Sequence, residues 1–257
     1  MRQLLGGAVD SVRDSRQGGG SRRPRRESHR AVKDAGDPDY GMDDVPGRIE
    51  HTVLGPTTTW EAVLETLDDA IQHGMRACVP PCYLDQSASY APGVDVTTVV
   101  GFPHGQHTAK TKVEEATEAW KADAAEIDMV ANVGKIQAGE LDDVEAEIAE
   151  VVAAVPIPVK VIVESPLLSE SELRGACQAA ADAGAAFVKT ATGFSEGGAT
   201  VEDVSVMAEY CSVKASGGIG SWAFAKELFD AGADRIGASS GDVIVTEYHE
   251  ATAGENQ

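Results

Sequence analysis

From Ile49 onward the chain alternates two kinds of stretch: short, nearly unbroken apolar runs, and longer ones whose apolar residues return every three or four positions. A short run bounded by glycine, proline or polar clusters marks a strand buried on both faces, as in a parallel sheet. Residues 49–54, 75–79, 94–101, 126–130, 159–164, 186–190, 212–215 and 235–237 read this way. The three-to-four repeat marks helices with one face turned to a core. It occupies residues 59–73, 83–90, 108–123, 140–155, 169–183, 200–209 and 221–231, and a last helix starts near Ser240. Thr59, Ser169 and Thr200 stand where N-caps belong, each with an acidic residue two or three positions on. Gly74, Gly184 and Gly232 stand where helices end. Eight alternating strand–helix units predict a (β/α)8 TIM barrel, an α/β fold, over residues 46–257. The competing doubly wound sheet has fewer units and a glycine-rich phosphate loop after its first strand. Here that loop reads Gly55-Pro56-Thr57-Thr58-Thr59.

Residues 1–45 lack the alternation. Gly18-Gly19-Gly20-Ser21 leads into Arg22-Arg23-Pro24-Arg25-Arg26 with no sustained apolar period, which reads as a disordered arm. Met42, just before the pattern begins, is a candidate start of translation. Residues 1–41 hold nine Lys/Arg against six Asp/Glu, and the remainder holds 12 against 36. So acidic a body repels nucleic acid and anionic membranes, and neither is an expected partner. Glu114, Glu115 and Glu118, and then Asp142, Asp143, Glu145, Glu147 and Glu150, crowd two helices whose acidic faces are expected to be solvated. The acidic excess fits a halophilic protein, adapted to a salty cytoplasm whose ions screen self-repulsion.

No run approaches the ~18 apolar residues of a membrane span. The apolar stretch 4–9 is too short for a secretory signal. Cys78 and Cys82 have a spacing that zinc pairs use, but no second pair accompanies them. With Cys177 and Cys211 they read as buried structural thiols of a reducing, cytoplasmic compartment.

In a barrel, reactive groups sit where strands end. Strand four carries Asp128, strand six ends on Lys189, and strand seven carries Lys214. Each lysine stands among apolar and small residues, so its side chain is desolvated in the barrel mouth and needs a partner or must shed its proton. A second ammonium nearby, with burial, favours the free amine that attacks a carbonyl. Asp128 is placed to move protons as a carbinolamine forms. Two loops look built for phosphate: Ser216-Gly217-Gly218-Ile219-Gly220 after strand seven, and Gly237-Ala238-Ser239-Ser240-Gly241 after strand eight. Glycines let backbone N–H groups approach an anion, serines add donors, and these are the places where barrels hold phosphate.

The stretches Ile49-Glu50-His51-Thr52, Cys78-Val79-Pro80, Val100-Gly101-Phe102-Pro103-His104-Gly105, Glu126-Ile127-Asp128-Met129-Val130, Phe187-Val188-Lys189-Thr190-Ala191-Thr192-Gly193-Phe194 and Val213-Lys214-Ala215-Ser216-Gly217-Gly218-Ile219 occur in barrel order. With Val159–Glu164 and Arg235–Ser239 they make the chain, from about residue 49 to 244, resemble the deoxyribose-phosphate aldolases. The resemblance implies reversible cleavage of 2-deoxy-D-ribose 5-phosphate to acetaldehyde and D-glyceraldehyde 3-phosphate. It implies a Schiff base on Lys189, pKa perturbation and proton transfer by Lys214, and proton relay by Asp128. Lys160, Glu50 and Cys78 are implied in support. Thr192, Gly193, Gly217, Gly218, Gly237, Ser239 and Ser240 become phosphate and sugar contacts. No metal or organic cofactor is implied, since the iminium is the electron sink, and a homo-oligomer, dimer or tetramer, is expected.

Glu50 stands where the family usually has Asp, which would alter substrate fit if that carboxylate meets a sugar hydroxyl. Ala191 replaces a usual Ser, and the sequence ends Gly254-Glu255-Asn256-Gln257 where some members carry a proton-exchanging tyrosine. His51, His104 and His107 fall near the mouth and read as structural or surface residues. Three other readings remain open at this level: a different Schiff-base aldolase or transaldolase, a non-catalytic phosphate-binding barrel, and a nucleic-acid tether in the arm.

Overall fold

The computed structural model describes residues 45–255. The arm read over residues 1–45 lies outside the described residues except for Val45, which is fully buried. Eight parallel strands close into a barrel in chain order: β1 (Ile49–Thr52), β2 (Arg76–Cys78), β3 (Val96–Val100), β4 (Glu126–Val130), β5 (Val159–Ile162), β6 (Phe187–Lys189), β7 (Ser212–Ser216) and β8 (Arg235–Ala238). The last joins the first with His51 opposite Ala238.

Around them run α1 (Trp60–His73), α2 (Leu84–Tyr90), α3 (Ala109–Lys121), α4 (Val133–Gln137), α5 (Leu141–Ala154), α6 (Glu170–Asp182), α7 (Val201–Met207), α8 (Trp222–Asp230) and α9 (Gly241–Glu255). The predicted elements are present, with ends moved by one or two residues. The short α4 is an addition. It opens on Asn132, whose side chain accepts from the Lys135 N–H, and five residues are too few to show a helical period.

The caps do what their residue types allow. Thr59 and Thr200 accept from backbone N–H groups three residues on. Ser169 and Glu172 form a reciprocal capping box, which satisfies two donors that the helix start would otherwise leave unpaired.

The molecule has two interiors of opposite character. Between sheet and helices lies the apolar core, to which the strands contribute Ile49, Ala77, Ile127, Met129, Val161, Val188, Val213, Ala215 and Ile236. Because strand side chains alternate faces, their neighbours in sequence point into the barrel. Those neighbours include Glu50, Arg76, Glu126, Asp128, Lys160, Lys189, Lys214 and Arg235, all buried. The strands therefore read as continuous buried runs although one face is ionic.

Two expectations are corrected. Glu147, read as solvated, is buried and pairs with the fully buried Lys112 at 2.7 Å. The same ammonium donates to the carbonyls of Gly105 and Val130, pinning the β3–α3 loop to the end of β4. A buried lysine needs a carboxylate, and α5 turns one inward to supply it. Cys82, read as a buried thiol, is exposed on the turn Pro81–Tyr83, whereas Cys78, Cys177 and Cys211 are buried.

Candidate active site

Closure of the barrel gathers charges from seven strands. One oxygen of Asp128, Oδ2, accepts from Lys189 Nζ at 2.7 Å and from Lys214 Nζ at 2.6 Å. Its other oxygen accepts from Lys160 Nζ at 3.1 Å. Glu50 contacts Lys214 directly and lies 3.3 Å from Lys160. Deeper, near the strand starts, Glu126 gathers Lys160 at 2.5 Å, Arg235 at 3.3 Å and Arg76 at 3.4 Å.

Burial penalises the charges of Asp128, Glu50, Lys160 and Lys214, but the opposite charges win. Asp128 is held well below the usual aspartate range because Lys160, Lys189 and Lys214 outweigh its desolvation. Glu50, likewise desolvated, is drawn down to about 2 by Lys160 and Lys214. Burial works against the Lys214 ammonium, yet Asp128 and Glu50 raise its pKa above the ordinary lysine value. Lys214 is thus a fixed cation sharing a carboxylate oxygen with Lys189.

Above this lattice opens a cleft of about 430 Å³. Lys189 is part of its lining, with Thr192, Gly193, Gly217, Gly218, Gly237, Ser239 and Ser240. Lys214, Asp128, Lys160, Glu50 and Cys78 are buried and are not among the lining residues. Glu50 in particular meets lysines beneath the cleft, so its extra length is used there. Two glycines are required by geometry. A Cβ on Gly237 would sit 2.9 Å from Lys214 Cε, so the lysine stem crosses the strand only where the side chain is missing. Gly217 has φ of 97° and a Cβ there would crowd Gly198 and Ala191.

Sequence reasoning missed several lining residues, among them Thr52, Leu54 and Phe194, while Ser216, read in the loop after strand seven, is in the lining. It also missed Glu164. Strand five was read through that position, but β5 ends at Ile162 and Glu164 adopts φ 57°. Its carboxylate accepts the Thr192 N–H at 3.2 Å and the Ser195 hydroxyl at 2.8 Å, holding the loop after β6. A non-glycine residue in that conformation is held by its surroundings and points to a demand on the site.

Of the three histidines, His51 is buried, His104 lines a second hollow beside Phe194, and His107 faces Glu115 at 3.3 Å near the surface. Donor atoms of Glu50, Cys78 and Asp128 lie within 4.8 Å of one another. The two carboxylates are already engaged by lysines, and burial pushes the Cys78 thiol up to about 11. A cation there would have to displace Lys214.

The arrangement offers one amine opening onto a cleft, a carboxylate tying it to a sealed ammonium, and a rim of glycines and hydroxyls. The profile of the DeoC/LacD family aldolases matches residues 52–246. A deoxyribose-phosphate aldolase of Haloarcula marismortui is 60% identical over 214 residues, covering 83% of this chain and 92% of that protein. One from Natronomonas pharaonis is 61% identical over 203 residues, covering 79% of this chain and 94% of that protein. Among solved structures, the tetrameric deoxyribose phosphate aldolase of Aeropyrum pernix is similar at a TM-score of 0.75 and 32% identity, covering 81% of this chain and 92% of that one.

Proposed function

The chain belongs to the DeoC/LacD family of aldolases, and from that premise we infer that it cleaves 2-deoxy-D-ribose 5-phosphate reversibly through a Schiff base on Lys189. The observation that carries the assignment of the nucleophile is the position of Lys189. It bonds to Asp128 as Lys214 does, yet it alone of the three central lysines lines the cleft.

The chemistry follows from that position. The neutral Lys189 amine adds to C1 of the open-chain sugar, and loss of water leaves an iminium. Removal of the C3 hydroxyl proton sends the C2–C3 bonding electrons into the iminium, giving an enamine and releasing D-glyceraldehyde 3-phosphate. Protonation of the enamine at C2 and hydrolysis release acetaldehyde and restore the amine. The iminium is the electron sink, so no metal or organic cofactor is needed. Asp128, hydrogen-bonded to both lysines, moves protons between Lys189 and the substrate, and the Lys214 ammonium opposes a second positive charge beside it. The glycine and serine rim, with Thr192, holds the phosphate and sugar hydroxyls.

Borohydride reduction in the presence of acetaldehyde tests this directly. Peptide mapping is expected to find one ethylated lysine, Lys189, and Lys189→Ala is expected to lose both adduct and turnover. An adduct at Lys214 instead, or at no lysine, would overturn the assignment.

The setting is proposed on the same footing. The acidic body and the relatives from halophilic archaea support work in a salty cytoplasm. No helix among the described residues is long and apolar enough to cross a membrane. The tetrameric relative and the exposed Ile71, Tyr90, Trp120 and Val243 support a homo-oligomer.

A further inference from the structure

His51 stands on β1 just before Thr52, a lining residue of the cleft, but its own ring is turned away and buried. Its Nδ1 accepts a hydrogen bond from the backbone N–H of Gly241 at 3.1 Å. Gly241 is the first residue of α9 and follows Ser239 and Ser240 of the cleft rim. The helix ladder begins at Ser240, whose carbonyl accepts from the Ile244 N–H. The Gly241 N–H belongs to the first turn, where donors have no partner within the helix. Here one of them is taken by the imidazole.

The fit is close. A Cβ on Gly241 would lie 2.8 Å from Nδ1 and 3.1 Å from both Ile49 and Met75. On the far side of the ring, Nε2 lies 3.4 Å from Asp69 of α1. Accepting at Nδ1 requires that this nitrogen carry no proton, which places the ring hydrogen on Nε2, facing Asp69. The ring thereby links β1, α1 and the start of α9. The paired strands present Ala77 and Ala238 at its level, and Asp69 is the charged group facing it among the described residues.

We propose that His51 is a positioning residue for phosphate binding, fixing the Ser239-Ser240 rim by accepting the Gly241 N–H at Nδ1. The inference rests on the reading of that rim as a phosphate contact. Without an acceptor at that point the α9 start is released, and the substrate's phosphorylated end is held less well while the chemistry at Lys189 is unchanged.

The test is the ratio of KM for 2-deoxyribose 5-phosphate to KM for unphosphorylated 2-deoxyribose. It compares wild type, His51→Asn, His51→Phe and Gly241→Ala under one set of conditions. Asparagine places an amide oxygen near the Nδ1 position and restores the acceptor, so His51→Asn is expected to match wild type. His51→Phe and Gly241→Ala are expected to raise the ratio about fivefold, the value of one ordinary hydrogen bond, with kcat little changed in His51→Phe.

An unchanged ratio in His51→Phe would overturn the proposal, and loss of kcat or stability in that variant would then leave only a packing role. A ratio in His51→Asn raised as far as in His51→Phe would overturn it as well, since the acceptor would not be what matters. If wild type does not prefer the phosphorylated sugar at all, the phosphate reading of the rim itself fails, which is a distinguishable result.

Discussion

At the scale of single residues, the site is a problem of buried charge. Five basic side chains, Arg76, Lys160, Lys189, Lys214 and Arg235, share the barrel with three carboxylates, Glu50, Glu126 and Asp128. Such groups stay charged only while their partners do. A carboxylate whose folded pKa lies below its unfolded one adds stability above the unfolded value and forfeits it as pH falls through the folded value. For Glu50 the window runs from the ordinary 4.5 down to about 2, and Asp128 adds to it in the same direction. Thermal unfolding followed across that range is expected to show a steep acid loss, shallower in Glu50→Gln because one of the two groups is gone. An equally steep curve in that variant would remove Glu50 from the account. Lys189 and Lys214 were legible in the sequence because lysines at strand ends among small residues are unusual. Glu126, Arg76 and Arg235 were not, since a charge at a strand start reads equally well as surface.

At the scale of elements, caps and glycines were legible because they act through neighbours three or four residues away. Ser169 with Glu172, and Gly74 with φ 70°, are such local devices. The end of β5 was not, because the run Val159–Ile162 continues as Val163-Glu164 without a breaker. What turns Glu164 is its carboxylate's bonds to Thr192 and Ser195, about thirty residues further on. Glu164→Ala removes the acceptor and with it the restraint on the loop after β6. It is expected to raise KM for the phosphorylated sugar about fivefold, the value of one hydrogen bond, with kcat nearly unchanged. Glu164→Gln, which retains an acceptor oxygen, should fall between. A change confined to kcat in steady-state assays would place Glu164 in the chemistry instead of the loop.

At the scale of the whole molecule, residues 42–257 carry 36 acidic against 12 basic side chains. Such a surface repels itself at low ionic strength, and at 1 M salt the screening length falls to about 3 Å. The melting temperature is therefore expected to rise from low salt into the molar range, with activity following. A flat or falling Tm would sever the acidic surface from any salt adaptation. The alternation of strand and helix, the lysines at strand ends and the glycine–serine loops were settled by sequence, because period, position and turn chemistry are local. Which charges meet was settled only by closure of the barrel. Glu50, Asp128, Lys160, Lys189 and Lys214 are far apart along the chain and share a few ångströms only once β8 pairs with β1. The same holds for Glu147 turning inward to Lys112 and for His51 reaching the start of α9. A sequence pattern specifies which face a residue lies on, but the partner waiting on that face is supplied by other parts of the fold.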